Sequence, residues 1–410
     1  MLRNVISGLA LIPLLMSMCI LAFNVQPVKA DWTWTETIYI RADGIVEPDA
    51  APISSVDNVT YILTDNILGE LDPKGRAIVV ERNNIVIDGA GCILQGAGSG
   101  TGICLGEVKE SPDSRNVTIK NMKIRQFEIG VSVAGGIPFD EALIMGNTIT
   151  DNSQAGIRWR GGHDNVFSGN TISDNGHGIY LGTSDHFWEA PSDSNVIIRN
   201  NVSGNSQYGI KIVGSYNEIL GNNIIGNGIG LGVHASYLGH GDFTDARDNI
   251  VAENTITSNT QIGIEYTDAD PGYPFGICWN NFAYHNNFLK NFDQAAPGNE
   301  TSNFWDNGYP SGGNYWSDYA EVDRYQGANQ DILGSDGIGD IPYVIDANNT
   351  DYYPLMKPWG TPPPPPPTPV ECVFPKWLLA LLFVLAVLGG ANLVVIVGFV
   401  LWWHCERRKK

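Results

Sequence analysis

The chain has 410 residues, and its formal net charge of −20 at pH 7 comes from a composition with only 17% charged residues. Proteins that bind nucleic acids cluster Lys and Arg against the phosphates, so this acidic balance argues against a nucleic-acid partner. The length suffices for one large domain or two smaller ones.

The chain begins with a predicted secretory signal peptide over residues 1–30. Arg3 supplies the basic start, residues 5–23 are mostly apolar, and Val28-Lys29-Ala30 has the small residues of a cleavage site. We expect the mature chain to begin at Asp31, and the alternative is a retained anchor helix. Residues 31–75 are assigned to an N-terminal capping region.

Residues 76–295 contain a degenerate repeat with the pattern N-x-I-x-x-N-x-x-G-I-x-Φ, in which Φ is apolar, and its shortest steps are 22 and 23 residues. Apolar residues alternate in short runs, which indicates strands, and the Gly and Asn between them suit corners with positive φ. A repeat of this length is typical of stacked supersecondary units. We predict an all-β fold, a single-stranded parallel β-helix, over a leucine-rich repeat, which would need a denser Leu pattern.

The repeated asparagines have a structural explanation in this fold. Equivalent corners stack ~4.8 Å apart, so an inward Asn amide can bond the Asn of the next coil. One ladder is predicted from the first Asn of each repeat: Asn147, Asn170, Asn200, Asn222, Asn254 and Asn286. A second is predicted from Asn152, Asn175, Asn205, Asn227, Asn259 and Asn291.

The C-terminal part departs from the repeat. Residues 296–360 are rich in aromatic residues and Asp and are interpreted as a C-terminal cap, followed by a Pro-rich linker over 361–375. Residues 376–403 are long and apolar enough for one transmembrane helix, and the basic tail 404–410 places the C-terminus in the cytoplasm. We therefore expect a single-pass protein of the cell membrane with its β-helix outside.

The entry into the repeat, AIVVERNNIVIDGAGCILQG, the repeats and the tail GGNYWSDY…DGIGDIPYVIDANNTDYYPLMKPW resemble the NosD-type family over roughly residues 60–359. The resemblance implies an exported, right-handed parallel β-helix, a fold shared with pectate lyases and other carbohydrate-binding proteins. The family takes its name from an accessory factor for copper-enzyme maturation that works beside a transporter. A transporter partner is thus implied by resemblance alone.

Gly176-His177-Gly178 is similar to a motif of polygalacturonases, which are β-helix hydrolases. Those enzymes also need carboxylates on neighbouring coils as general acid and base. The preceding coil offers Ala155 and Arg158 at the nearby positions, so we interpret His177 as a corner residue without a catalytic role.

The outward positions of the G-I-x-Φ-x strands suggest a ligand site. Alternation along the strand brings a basic and aromatic set to one face of successive coils. The candidates are Arg158, Arg160, Tyr180, Lys211 and Glu265, with Trp188 on an insertion after one of these strands. Such a face suits an anionic sugar chain, because rings stack on sugars and cations pair with carboxylates. The alternative is a solvated sheet face.

We therefore predict a protein that binds a polysaccharide or another envelope component without chemistry. The alternatives are a lyase or hydrolase of acidic glycans, and an accessory factor for metalloenzyme maturation. Asp331, Asp336 and Asp340 lie on a glycine-rich stretch that could hold Ca²⁺. Copper is disfavoured, because His, Cys and Met are scattered. For Cys92 and Cys104, a disulfide and buried thiols both stay open.

Overall fold

The computed structural model describes residues 31–33, 36–72, 74–106, 115–134, 138–182, 191–239, 242–269, 276–298 and 302–360. The predicted signal peptide, transmembrane helix, basic tail and Pro-rich linker lie outside these residues. Within the described ranges, no helix has the length and hydropathy to cross a membrane. One compact unit ends at Trp359.

Three long sheets, here called A, B and C, form this unit, and successive coils place one strand in each, in the order C, A, B. Sheet A stacks Asp31–Thr33, Asn66–Leu68, Ile93–Gln95, Lys123–Arg125, Thr148–Thr150, Thr171–Ser173, Asn201–Ser203, Asn223–Ile225, Thr255–Thr257, Asn287–Leu289 and Tyr315–Trp316. Sheet B stacks Val46–Glu47, Ile38–Ile40, Arg76–Val80, Thr101–Leu105, Ile129–Val133, Ala155–Trp159, His177–Leu181, Tyr208–Val213, Ile229–His234, Ile262–Thr267 and Asp293–Ala296.

Sheet C stacks Phe282–Tyr284, Ile250–Ala252, Glu218–Leu220, Val196–Ile198, Val166–Ser168, Leu143–Met145, Val117–Lys120, Ile85–Asp88, Thr60–Leu63 and Ile53–Ser54. The remaining strands pair in twos: Gly162–His163 with Ser192–Asp193, Ser236–Gly239 with Asp242–Thr244, Ala246–Arg247 with Cys278–Trp279, Tyr325–Gln326 with Ile332–Leu333, and Tyr343–Val344 with Thr350–Asp351. Neighbours in the long sheets are parallel except at two N-terminal pairs, Ile38–Ile40 with Val46–Glu47 and Ile53–Ser54 with Thr60–Leu63. The predicted parallel β-helix is confirmed.

Parallel pairing starts before residue 76, where the sequence placed the first repeat. Ile38–Ile40 pairs in parallel with Arg76–Val80, and Thr60–Leu63 pairs in parallel with Ile85–Asp88. These early strands lack the Asn and Gly spacing of the repeat, so sequence periodicity did not detect them. Part of the expected capping region thus already belongs to the stack.

The core lies between the three sheets and is built by one inward residue after another. In the strands of sheet A from Asn66–Leu68 to Asn287–Leu289 the middle residue is fully buried, as at Ile149, Ile172, Val202, Ile224 and Ile256. Both neighbours of such a residue point away from the core, which follows from the alternation of side chains along a strand. The apolar positions of the repeat are therefore explained by one continuous core.

The first predicted Asn ladder is present as hydrogen bonds. Both N and Nδ2 of Asn170 donate to Oδ1 of Asn200, at 2.9 and 3.0 Å, and the same pair of donations recurs from Asn200 to Asn222. Donations of the same kind join the second series, for example from Asn175 to Asn205. All twelve residues are buried.

A third ladder, which we did not predict, runs along the remaining corner. It consists of Asn165, Asn195, Asn217, Asn249, Asn281 and Asn303. These residues precede the first ladder by five positions where the repeat is regular, as in NVFSGN and NVIIRN. The third ladder could have been predicted from the sequence, because a coil with one strand in each of three sheets has three corners, and Asn recurs at each corner.

The aromatic residues of the predicted C-terminal cap pack on the last coil. The Trp316 ring stacks on Phe288 with centroids 4.4 Å apart and on Tyr343 at 4.3 Å. Asp351 is fully buried, and its Oδ2 accepts hydrogen bonds from the backbone N of Asn314 and from Nε1 of Trp316, both at 2.8 Å. A buried carboxylate with fixed donors holds this segment in one arrangement.

Cys92, Cys104 and Cys278 are buried thiols. The Sγ of Cys92 lies in the hydrophobic core and donates to the carbonyl of Leu63. Cys104 aligns with Ser132, at an outward position of sheet B. The Cys92 side chain thus points into the core, and the Cys104 side chain points to the outer surface of the β-helix. Because they lie on opposite sides of the sheets, the two cysteines are free thiols and do not form a disulfide.

Candidate functional site

The outward residues of sheet B form a straight row across six coils. The strand registers align Ser132 with Arg158, Arg158 with Tyr180, Tyr180 with Lys211, Lys211 with Gly232 and Gly232 with Glu265. This is the row expected from the repeat. We call the outer surface of sheet B around it the sheet B face.

The centre of the sheet B face combines cations with aromatic rings. The Nζ of Lys211 lies 5.3 Å from the ring centroid of Tyr180 and 5.2 Å from that of Tyr208. Cζ of Arg158 lies 6.0 Å from the Tyr180 ring, and its Nη1 donates to Oε1 of Gln154 at 2.6 Å. Two positive charges thus flank one tyrosine on adjacent coils.

Glu265 lies at one end of this row, and it makes contacts that could not be predicted from the sequence. Its Oε1 accepts a 2.6 Å hydrogen bond from the hydroxyl of Tyr208. Nε2 of His234 lies 2.9 Å from the same oxygen, although the ring N–H is not aligned for a hydrogen bond. A Cβ at Gly232 would lie 2.7 Å from both His234 Nε2 and the Tyr208 ring, so glycine permits this approach.

Burial and neighbouring charges set the protonation of this group. Burial opposes ionisation of Glu265, but the approach of His234, the hydrogen bond from Tyr208 and the charge of Lys211 lower its pKa. Burial, and then the hydrogen bond to Glu265, raises the pKa of the Tyr208 phenol. Burial also lowers the pKa of His234. The arrangement is a carboxylate held beside a neutral phenol and a neutral imidazole.

His177 is the first residue of the strand His177–Leu181 in sheet B and faces the same surface. Its ring stacks on Tyr208 with centroids 5.6 Å apart and lies 5.3 Å from the ring of Tyr180. Burial, followed by the positive charges of Lys211 and Arg158 and by His234, lowers the pKa of His177 to about 4. The imidazole is therefore neutral at pH 7, and it sits among the candidate ligand residues.

Close packing between neighbouring coils explains why glycine stands on both sides of His177. A Cβ at Gly176 would lie 2.4 Å from the carbonyl oxygen of Gln154 in the preceding coil, and a Cβ at Gly178 would lie 2.4 Å from that of Gly209 in the following coil. The Gly-His-Gly triplet thus arises from close coil stacking at the two glycines. His177 occupies a position that is Ala155 in the preceding coil.

Two other predicted ligand residues lie apart from the centre. Arg160 follows the strand Ala155–Trp159 and is half-buried. Burial raises the pKa of the Cys104 thiol, and the positive charges of Arg76 and Arg160 oppose this increase. Trp188 falls within residues 183–190, which lie outside the described residues.

Two of the three aspartates predicted to bind calcium accept hydrogen bonds from backbone N–H groups of their own loop region. Oδ1 and Oδ2 of Asp340 accept backbone N–H groups of Arg324 and Tyr325, and Asp336 accepts the backbone N–H of Ile338. In the part of the chain that the structure describes, no three His, Cys, Asp or Glu side chains converge to hold a metal ion. Calcium binding at Asp331, Asp336 and Asp340 therefore stays a prediction, and the contacts seen for Asp336 and Asp340 are hydrogen bonds within the loop.

A second aromatic and cationic cluster lies at the corner between sheets B and C. Cζ of Arg247 lies 4.9 Å from the ring centroid of Tyr216 and 5.8 Å from that of Trp279. Nη1 of Arg247 pairs with Oδ2 of Asp248 at 2.6 Å. Arg247 at this corner therefore has a carboxylate partner beside the two aromatic rings.

Copper, which the family resemblance implies, does not fit the described residues. Copper sites are built from clustered His, Cys or Met ligands. His234 has Glu265 beside it, while Cys92 and Met122 are enclosed in the core. Across the described ranges no group of three suitable His, Cys, Asp or Glu ligands exists, and we derive no copper chemistry.

Several solved structures share similarity with the chain. The alginate lyase from Paenibacillus sp. str. FPU-7 is 15% identical with a TM-score of 0.34, over 57% of this chain and 90% of that one. The mannuronan C-5 epimerase AlgE6 A-module of Azotobacter vinelandii is 15% identical with a TM-score of 0.40, over 67% and 89%. PfbA, a surface adhesin of Streptococcus pneumoniae, is 15% identical with a TM-score of 0.38, over 60% and 61%. At these values the similarity carries no functional information.

Two protein-family descriptions match adjoining parts of the chain. The right-handed β-helix region matches residues 76–242, and the periplasmic copper-binding protein NosD matches residues 242–321. No functionally curated protein shows significant sequence similarity. Together with the three parallel sheets and the Asn-lined corners in the same residues, these matches support a NosD-like family of right-handed parallel β-helix proteins for this chain.

Proposed function

We propose that the sheet B face binds an acidic polysaccharide. The observation that carries this proposal is the alignment of Arg158, Tyr180 and Lys211 at one position of three successive strands. Cations at this spacing can pair with carboxylates along a sugar chain, and the tyrosine ring can contact a sugar ring between them.

The negative net charge of the chain favours binding of a polyanion at a local site over general electrostatic attraction to the whole surface. The whole chain carries −20 at pH 7, so a polyanion is repelled at long range and must gain its affinity from close contacts. Individual ion pairs at a partly exposed surface contribute about 0–1 kcal/mol each. We therefore expect modest affinity that depends on several contacts and weakens with added salt.

The double variant Arg158→Glu/Lys211→Glu tests the proposal. Reversal of both charges replaces attraction with repulsion, and we expect binding to polygalacturonate and alginate to weaken at least about tenfold, or about 1.4 kcal/mol. Binding is measured by surface plasmon resonance on immobilised polysaccharide, and the melting temperature is measured in parallel.

A matched control has the same change in charge at another face. Lys123 and Arg125 are exposed on a strand of sheet A, so Lys123→Glu/Arg125→Glu alters net charge equally without touching sheet B. We expect the control to bind like the parent. Equal weakening in both double variants would show that net charge alone governs binding, and the proposal would fail.

A second candidate function is a lyase acting on the same acidic chain. The observation that favours it is the neutral His177 beside Tyr180 and between the coils of Arg158 and Lys211. A lyase needs cations that neutralise the uronate carboxylate and a neutral base that takes the proton from the adjoining carbon. The glycosidic C–O bond then breaks as the carbon–carbon double bond forms, and the leaving oxygen takes up a proton from an acid. Release of unsaturated sugar ends by the parent protein, seen by ultraviolet absorbance, would replace the binding function with this one.

We also propose that the β-helix is displayed outside the cell on the apolar segment 376–403. The support is the order of segments in the sequence, with the Pro-rich linker before the apolar stretch and Arg and Lys after it. Protease added to intact cells should release the β-helix by cleavage near residues 361–369. Protection of the linker together with cleavage of the basic tail would reverse the orientation.

A further inference from the structure

We propose that His177 is a third cationic contact of the sheet B face, neutral in the unliganded protein and taking up one proton when an acidic polysaccharide binds. This inference rests on the proposed function. It assigns a role in binding to a residue that the sequence alone places at a corner of the coil.

The geometry places His177 within the binding surface. Its ring stacks on Tyr208 and lies beside Tyr180, whose rings both lie beneath the Lys211 ammonium. Nδ1 of His177 is buried and has no hydrogen-bond partner in the described parts of the chain. An unsatisfied buried nitrogen of this kind is unusual and calls for a functional explanation.

Among the residues that the structure describes, the charged and titratable groups around His177 come from four strands. Arg158 lies on the preceding strand, Tyr180 on the same strand, Lys211 and Tyr208 on the following strand, and His234 one coil further. After burial, Lys211, Arg158 and His234 are the groups that disfavour a charge on His177. Glu265 lies further along the row, where it contacts Tyr208 and His234.

Binding of a carboxylate between Arg158 and Lys211 changes this balance. The ligand's negative charge offsets the two cations, so the charged imidazole becomes less unfavourable and the pKa of His177 rises. A group whose pKa is higher in the complex than in the free protein takes up a proton on binding. The resulting gain in affinity is absent well above the pKa in the complex and grows as pH falls towards about 4, the pKa in the free protein.

The coupling between proton uptake and binding predicts how much the affinity changes with pH. If binding raises the pKa of His177 by one unit or more, affinity at pH 4.5 exceeds that at pH 7 by at least about threefold from this group alone. Uronate carboxyls titrate near ~3.5, by analogy with α-carboxyl groups, and so they stay mostly ionised over this range. Carboxylates of the acidic protein also protonate there, so the comparison with a variant decides the matter.

The experiment measures polygalacturonate binding by isothermal titration calorimetry for the parent, His177→Gln and His163→Gln. His163 is exposed on a short strand at another corner, which makes it a matched control. Titrations at pH 5 in two buffers of different ionisation enthalpy give the number of protons taken up per bound site. A pH series from 4.5 to 7 gives the slope of affinity.

We expect the parent and His163→Gln to take up protons and to bind more tightly at low pH, and His177→Gln to lose most of both effects. Equal proton uptake in the parent and His177→Gln, with binding intact, would overturn the role of His177 and leave the proposed function standing. Absence of binding by the parent at every pH would overturn the proposed function itself.

Discussion

Asn200→Ala should lower the free energy of unfolding by about 3–5 kcal/mol, among the largest effects expected for one side chain in this protein. Oδ1 of Asn200 accepts from both N and Nδ2 of Asn170, and its own Nδ2 donates to the Phe167 carbonyl at 2.8 Å and to Asn222 at 3.0 Å. Alanine leaves the buried backbone N–H of Asn170 without its acceptor and removes a donor from the Phe167 carbonyl. Nδ2 of Asn170 keeps its hydrogen bond to the Ile144 carbonyl, and Oδ1 of Asn222 keeps the one from the backbone N–H of residue 200. Each unsatisfied group costs about 1–3 kcal/mol.

The neighbouring residue is the matched control. Asn201 is exposed, and its Oδ1 accepts a single 3.2 Å hydrogen bond from Asn223 at the surface. Asn201→Ala should change the stability by no more than about 0.5 kcal/mol. Urea denaturation followed by circular dichroism gives both values, and indistinguishable midpoints for the two variants would show that the ladder does not contribute as described.

Gly178→Ala should destabilise the protein by about 3 kcal/mol or more, because the added methyl collides with the backbone of the next coil. Its Cβ would lie 2.4 Å from the carbonyl oxygen of Gly209, 2.8 Å from Cγ1 of Val202 and 2.9 Å from Nδ2 of Asn205. Relief of these contacts requires the strands His177–Leu181 and Tyr208–Val213 to separate, which breaks their hydrogen bonds. Thermal unfolding of the purified variant measures the effect.

Gly169→Ala is the control variant, because it also replaces a glycine by alanine but creates no collision. Gly169 has a positive φ of 62°, and a Cβ there would meet nothing within 4 Å. Arg199 and Glu253 adopt φ of 54° and 61° at the same position of other coils, so a side chain is tolerated. We expect the free energy of unfolding to fall by about 1 kcal/mol. A Gly178→Ala protein as stable as Gly169→Ala would contradict the close coil stacking.

Sequence periodicity sufficed for features that repeat from coil to coil. The spacing of Asn170 and Asn200 predicts the corner hydrogen bonds, and the alternation in the G-I-x-Φ strands predicts that Arg158, Tyr180 and Lys211 align. Both follow from the register of parallel strands, which the backbone fixes. The same reasoning could have predicted the third ladder, because Asn165 and Asn195 recur at equivalent positions of a third corner.

Features that depend on side chains reaching across coils could not be predicted in this way. Tyr208 bonds Glu265 from two strands away, past Gly232, whose lack of a side chain leaves the room. The depressed pKa of His177 arises from burial and from charges on neighbouring strands, which sequence neighbours do not reveal. Asp336 and Asp340 are close in sequence, yet the loop directs their oxygens to separate backbone N–H groups.

The central claim, that the sheet B face is the binding surface, is tested most directly by a crystal structure of the β-helix with a bound galacturonate oligomer. We predict a sugar chain along the sheet B face, with a carboxylate between Arg158 and Lys211 and a sugar ring against Tyr180. Sugar bound elsewhere, for example at the Tyr216, Arg247 and Trp279 corner, with the sheet B face left bare, would contradict the claim.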